Sequence, residues 1–371
     1  MHLGFDAKRA FQNETGLGNY SRDVLRILAR HRPGHRYVAY GARAARGALA
    51  DGIEPRGPDT ALGRAVPALW RTAGLPAQLR RDGVELFHGL SNELPLGLER
   101  SGVRSVVTIH DLIFERYPEL YPAIDRRIYR WKFRSAAERA GLVVAISEQT
   151  RADLVERYGV DPARIRVVYQ GCHPAFQAPL APGALAEAAR RLELPPRFLL
   201  SVGTVERRKN LGLTVRALAG LPADVALVVV GRETPYAGEV RAEARRLGVE
   251  GRLRFLRGGV RQPDLAALYG RCQALVYPSI FEGFGIPIVE ALFTGAPVVT
   301  TRGGVFPEAA GPGSAYVDPH DPEELRATLA AILEDDGRRA AMRAAGREHA
   351  RRFEDEAIAA SLFRVYEELL G

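Results

Sequence analysis

Short β-branched runs alternate with longer amphipathic stretches along most of this chain. That alternation restricts the fold more than any other feature, because a parallel strand needs a crossover before the next one and a helix supplies it. In the first half the pattern predicts strands over 2–6, 36–40, 84–88, 104–110, 142–146 and 165–169, with helices over 18–30, 124–140 and 148–158. The rhythm restarts with strands over 198–202, 226–231, 252–256, 274–277 and 297–300. The expected class is therefore α/β with doubly wound parallel sheets. At 371 residues the chain exceeds what one core usually serves, which argues for two domains. We expect a first domain over 1–173, a Pro- and Ala-rich linker over 174–196 and a second domain over 197–353. The tail from 322 to 370 reads as helical throughout. Within it Ile358, Leu362, Val365 and Leu369 share one face by three- and four-residue spacing. Residues 354–371 are thus expected to pack back on the first domain.

Composition narrows the function classes. No run approaches the roughly 18 apolar residues of a membrane span, and Asp6, Lys8 and Arg9 interrupt the only early apolar segment. A cytoplasmic location is expected, with the inner membrane face as a peripheral alternative. Cys172 and Cys272 provide no disulfide framework or metal cluster. Of 52 basic residues only Lys8, Lys132 and Lys209 are lysines, and the formal net charge is +8. Two readings of the arginine excess stand open: a compositional bias on solvated faces, or positive surface meeting phosphate, anionic substrate or acidic lipid. No nucleic-acid partner is expected, since zinc-finger spacing, a basic zipper and an RNA-binding aromatic stripe are all missing.

Three segments carry chemistry. From Tyr277 to Glu290 (YPSIFEGFGIPIVE) a strand passes through a glycine-rich turn into a helix. Pro287 suits a first helical turn, Gly283 and Gly285 admit close backbone approach, and exposed amides at the helix start favour phosphate. Glu282 and Glu290, eight positions apart, suit hydrogen bonds to sugar and ribose hydroxyls at the carboxyl edge of a sheet. From Leu200 to Leu211 (LSVGTVERRKNL), Gly203 turns the chain and Arg207, Arg208 and Lys209 precede a helix, concentrating positive charge as a diphosphate needs. Lysine at 209, in a chain that otherwise uses arginine, marks a positional requirement. In the first half, SVVTIHD over 105–111 ends a buried-type strand in His110 and Asp111. TGLGN over 15–19 opens the first long helix without a full dinucleotide fingerprint.

Taken together these residues resemble the retaining glycosyltransferases of family 4, in particular the mannosyltransferase-like branch that builds surface polysaccharides. The resemblance runs from Asp6 to the carboxy-terminal helix. It implies the GT-B fold, two Rossmann-like domains facing a cleft. It also implies that Glu282 contacts donor-sugar hydroxyls and stabilises the transition state, and that Glu290 holds the ribose. Gly203, Gly283, Phe284, Gly285 and Ile286 offer donor contacts, and Lys209 with Arg208 binds the diphosphate. His110 reaches the transferred sugar, while Asp111, Gly16 and Gly18 lie toward acceptor and phosphate. Thr204 stands where many relatives carry arginine, and Arg208 is its expected substitute.

The resemblance further implies a metal-independent reaction with no cofactor. The donor is a nucleotide sugar, GDP-mannose before UDP-sugar, and the acceptor is a glycan or a lipid-linked molecule. Alternatives are a nucleotide-sugar epimerase, a phosphorylase, or a non-catalytic nucleotide-sugar-binding protein. The segment 126–134 (RRIYRWKFR) has two readings as well, peripheral contact with an anionic membrane or a packed helix with solvated arginines.

Overall fold

A computed structural model describes residues 1–13, 16–42, 49–256 and 258–371, so Thr15 of the TGLGN segment lies outside the described residues. The chain forms two compact units, Met1–Gly171 with Arg352–Gly371, and Cys172–Arg351. Both are built on an all-parallel sheet with the same winding logic.

In the first unit the strands are β1 (His2–Asp6), β2 (Arg36–Tyr40), β3 (Ile53–Arg56), β4 (Leu86–Gly89), β5 (Arg104–Ile109), β6 (Leu142–Ala145) and β7 (Ile165–Val167), ordered β3-β2-β1-β4-β5-β6-β7. Phe5 pairs with Ala39 on one side and His88 on the other. The winding direction therefore reverses between β1 and β4, the place where open α/β sheets bind ligands at their carboxyl edge. Helices cover both faces, so β4 and β6 are buried at every position, as parallel strands require. β3, which the pattern did not reveal, is a four-residue edge strand carrying Pro55. An edge position tolerates the missing donor.

The second unit holds β8 (Arg197–Val202), β9 (Val225–Val230), β10 (Leu253–Leu256), β11 (Ala274–Tyr277), β12 (Val298–Thr301) and β13 (Ala315–Val317), ordered β10-β9-β8-β11-β12-β13. Its switch point falls between β8 and β11, where Leu199 pairs with Leu227 and with Ala274. β13 lies between Gly313-Ser314 and Asp318-Pro319, so no longer apolar run marks it in the sequence. The stretch 174–196 carries two helices, Pro174–Gln177 and Pro182–Arg191, that lie within this unit. Leu180 and Leu185 close on Gly270 of the helix Gln262–Arg271.

The tail divides. Pro322–Glu334 and Asp336–Ala350 stay with the second unit, while Asp355–Leu370 joins the first. That last helix buries Ile358, Ala359, Leu362, Phe363, Val365 and Tyr366 in the core shared with the helix Gly16–His31. Each large apolar side chain so buried contributes roughly 1.5–3 kcal/mol in transfer terms. Polar contacts fix its register. Arg26 pairs with Asp355, and Arg32 with Glu356 at 2.8 Å. Tyr366 Oη lies 2.7 Å from His88 Nδ1, and the chain of bonds continues through Thr108 Oγ1 to Tyr20 Oη at 2.8 and 3.0 Å.

Candidate functional site

Two loops leave the carboxyl ends of β8 and β11, on either side of the second switch point. The first runs from Gly203 to Asn210 and the second from Pro278 to Gly285. One backbone bond and one side-chain bond tie them: Ile280 N–H donates to the Arg208 carbonyl at 2.9 Å, and Arg208 Nη1 donates to the Phe281 carbonyl at 2.6 Å.

Glu282 lies at the centre and is buried, with 8% of its surface exposed. Lys209 Nζ approaches its Oε1 at 2.6 Å and Arg208 Nη1 its Oε2 at 2.8 Å. Tyr277, the last residue of β11, donates from Oη to the same Oε1 at 3.0 Å and accepts from Lys209 Nζ at 2.5 Å. Burial alone pushes a carboxylic acid up, yet Lys209 and Arg208 overcome it and hold Glu282 down at about 2. Burial, helped by neighbouring Arg208 and opposed by Glu282, lowers Lys209. Arg208 shifts upward: burial opposes its charge, and the carboxylates of Glu282 and Glu206 outweigh that. The result is a preformed buried patch of two cations on a shared carboxylate, which preorganises charge before any ligand arrives.

The glycine-rich turn behaves as its composition predicts. Gly285 caps the helix Ile286–Thr294 with φ of 111°, a conformation an L side chain resists, and Pro287 occupies the first turn. No side chain caps this helix start and no acid lies in its first turn, leaving its dipole suited to an anion. Phe284 is buried, while Gly283 and Ile286 are half-buried at the turn. Gly203 donates to the Val230 carbonyl at 2.9 Å and faces the Lys209 stem. Glu290 lies further along the helix, where Tyr269 Oη donates to its Oε2 at 2.8 Å.

In the first unit His110 follows β5 and is buried. Its Nε2 lies 2.9 Å from the Leu90 carbonyl and its Nδ1 3.2 Å from the Gln170 side-chain nitrogen. A carbonyl only accepts, so Nε2 carries the proton and Nδ1 accepts. Burial, opposed by the Leu90 carbonyl, pulls His110 down to about 4, so the ring is neutral. Asp111 accepts from the Ile113 N–H at 3.1 Å across a tight turn. Gly16 begins the long helix, and Gly18 presses on the Asn13 carbonyl so closely that a Cβ would sit 1.8 Å from its oxygen. Close packing dictates that glycine.

Lys209, Arg208 and Glu282 are thus in direct contact, with the helix start at Gly285 three residues beyond the glutamate. Sequence reasoning assigned nothing to Tyr277, Tyr269 or Asn210. A tyrosine closing an otherwise aliphatic strand at its carboxyl end was the available signal for Tyr277. Asn210 sits in the left-handed region at φ of 56° and donates from Nδ2 to the carbonyls of Pro278 (3.2 Å) and Pro319 (2.7 Å). Only the assembled sheet brings those partners together.

Two doubly wound parallel sheets in one chain are the architecture of the GT-B class. HepE of Anabaena, solved in complex with UDP and glucose, shares it with a TM-score of 0.74 at 20% identity over 100% of both chains. The family described as Glycosyltransferase Family 4 matches residues 15–176 and that described as Glycosyl transferases group 1 matches 186–349. By these two domains the chain belongs to the group 1 and family 4 glycosyltransferases. It is 28% identical over 286 residues to an O-antigen chain mannosyltransferase B of Escherichia coli, covering 76% of this chain and 74% of that one. It is 34% identical over 244 residues to a D-inositol 3-phosphate glycosyltransferase of Corynebacterium efficiens, covering 62% of this chain and 57% of that relative's length.

Proposed function

We propose that the chain transfers a hexosyl group, mannose from GDP-mannose, to a lipid-linked or polysaccharide acceptor in surface-glycan synthesis, with retention at the anomeric carbon and without a metal. The carrying observation is the buried contact of Lys209 and Arg208 with Glu282 beside an uncapped helix start. In this reading the diphosphate seats on the helix start with Lys209 and Arg208 neutralising it, Glu282 accepts from sugar hydroxyls, and Glu290 accepts from the ribose. Backbone at Gly203, Gly283, Phe284, Gly285 and Ile286 completes the donor pocket. His110, Asp111, Gly16 and Gly18 are assigned to the transferred sugar and the acceptor. The anomeric carbon–phosphate oxygen bond breaks as the acceptor oxygen bonds to that carbon from the same face. The acceptor proton passes to the departing phosphate oxygen. Peripheral contact of the helix Ala123–Arg139 with an anionic membrane belongs to the same reading. Among the described residues no helix is long and apolar enough to cross one.

The mannosyltransferase relative supports mannose. A UDP-sugar donor is the second reading, favoured by the UDP and glucose bound to HepE. A thermal-shift series with GDP-mannose, UDP-glucose and an ADP-sugar separates them, because a ligand that binds only the folded state raises the melting temperature. Transfer measured in excess EDTA tests metal independence, and the anomeric configuration of the product tests retention. Lys209→Ala and Glu282→Ala proteins that transfer as fast as the parent would overturn the site assignment.

A further inference from the structure

The first sheet has a switch point of its own, and the chemistry assigned so far leaves the recess there unused. The recess opens beside Asp6, the last residue of β1, and Glu93, in the loop after β4. Arg71 bridges the two acids, donating from Nη2 to Asp6 at 2.5 Å and from Nη1 to Glu93 at 2.6 Å. Lys132 adds a third contact, to Glu93 at 3.1 Å. Asp6 and Glu93 stand against Arg71 and Lys132, while Arg139, also on the lining, is met by Glu99 at 3.2 Å; the floor thus has a balanced charge and many hydrogen-bonding directions, since each carboxylate accepts at several positions. Such a floor suits a neutral head group dense in hydroxyls.

The rim is of opposite character. Trp131 and Leu96 line the same cavity and are 58% and 38% exposed. From Trp131 the exposed apolar surface continues along the helix Ala123–Arg139 through Ile128 and Ile124, three and then four positions back on one face. Among the described residues every large apolar side chain that is strongly exposed lies between Leu62 and Trp131, and the second unit has none. Scattered exposed apolar residues need no explanation, but a group bordering a polar recess marks a binding surface.

We propose that this recess binds the glycosyl head group of an amphiphilic acceptor whose hydrocarbon chain lies along Trp131, Ile128 and Ile124. The inference rests on the glycosyltransferase reading and narrows its acceptor to the lipid-linked class.

Trp131 supplies its own reporter, because the only other tryptophan, Trp70, is buried and donates to Gln78 at 2.8 Å. The full chain is titrated with octyl and dodecyl β-D-glucopyranoside and with a dodecyl tetraethylene glycol ether, each below its micelle concentration. A fully buried methylene tightens binding about fourfold. We therefore expect a blue shift in emission and at least tenfold tighter binding of the dodecyl than of the octyl glucoside. The dodecyl glucoside should also bind at least tenfold tighter than the ether, which has the chain without the sugar. Ile124 and Ile128 are both exposed, so the double variant Ile124→Ser, Ile128→Ser folds normally and should reduce the chain-length ratio below threefold. Equal binding of the two glucosides, an unchanged ratio in the double variant, or equal binding of ether and glucoside overturns the proposal. Sedimentation with phosphatidylglycerol vesicles covers the bilayer alternative: vesicle binding without any sugar preference among the monomers also overturns it. No donor is needed for these measurements, so failure here is distinct from failure of donor hydrolysis, which would count against the glycosyltransferase reading itself.

Discussion

At the scale of single residues, Glu282 concentrates the most chemistry. Its carboxylate is held at about 2 against an unfolded value near 4.5, despite burial, by Lys209 and Arg208. A lowered carboxylate stabilises the fold above the unfolded pKa, and that stability drains away as pH falls from about 4.5 toward 2. The shift corresponds to roughly 3 kcal/mol at neutral pH. Glu282→Gln should therefore cost about 3 kcal/mol at pH 7, and the gap to the parent should narrow below pH 4.5. Urea midpoints at pH 7, 5 and 3.5 read this, and a gap independent of pH would mean that packing rather than charge holds the residue. The contact of Lys209 with Glu282 was foreseeable only as a coincidence of charges in two motifs. The distance between residues 73 positions apart depends on β8 and β11 pairing side by side.

At the scale of elements, Asn210 shows how loops are held to a common edge. Its backbone adopts a left-handed conformation immediately before the helix Leu211–Ala219, and its side chain reaches the loops that follow β11 and β13. Replacement by alanine removes two hydrogen bonds, each worth about 1 kcal/mol net, and leaves a Cβ in a conformation that costs about 1 kcal/mol more. Asn210→Ala is expected to lose about 3 kcal/mol and Asn210→Gly about 2 kcal/mol, since glycine removes the bonds without the strain. Thermal or urea denaturation of the two variants checks the order, and alanine matching glycine would refute the strain. The long strands and helices were legible because their periodicity extends over many residues. β3 and β13 were not: β3 reads IEPR, with one buried position, and β13 reads AYV between Gly313-Ser314 and Asp318-Pro319, whereas equally short strands such as β6 (LVVA) and β11 (ALVY) sit in apolar runs.

For the whole molecule, the two units respond differently to acid. His88 and His110 both belong to the first unit, and burial holds them down at about 3 and about 4. The folded state binds fewer protons than the unfolded one below pH 6.5, so stability falls as pH drops from there toward 4. Burial lifts Asp23 in the same unit to about 6, which works in the opposite sense below that pH. Burial also lowers His2 and His35 in the same unit, so the balance is at least one histidine's worth, about 1.4 kcal/mol per pH unit between pH 6 and 4. Both tryptophans, Trp70 and Trp131, also lie in the first unit. On acidification from pH 7 to 5 the fluorescence-detected urea midpoint should fall ahead of the midpoint read by circular dichroism. Coincident midpoints at both pH values would show that the chain unfolds as one cooperative body.

By itself the sequence determined the class of fold, because alternating strand and helix periods admit few other solutions. It also marked the glycine, lysine and glutamate positions whose chemistry is local to a turn. Tertiary structure decided which of those positions touch, since the order of strands in a sheet is set by packing across the whole core and no local pattern encodes it. The pairing of Glu282 with Lys209 and Arg208, the Tyr277 bridge and the charged recess at Asp6 all follow from that order. So does the docking of the last helix on the first unit, where an apolar face announced burial but only the core could supply its partner.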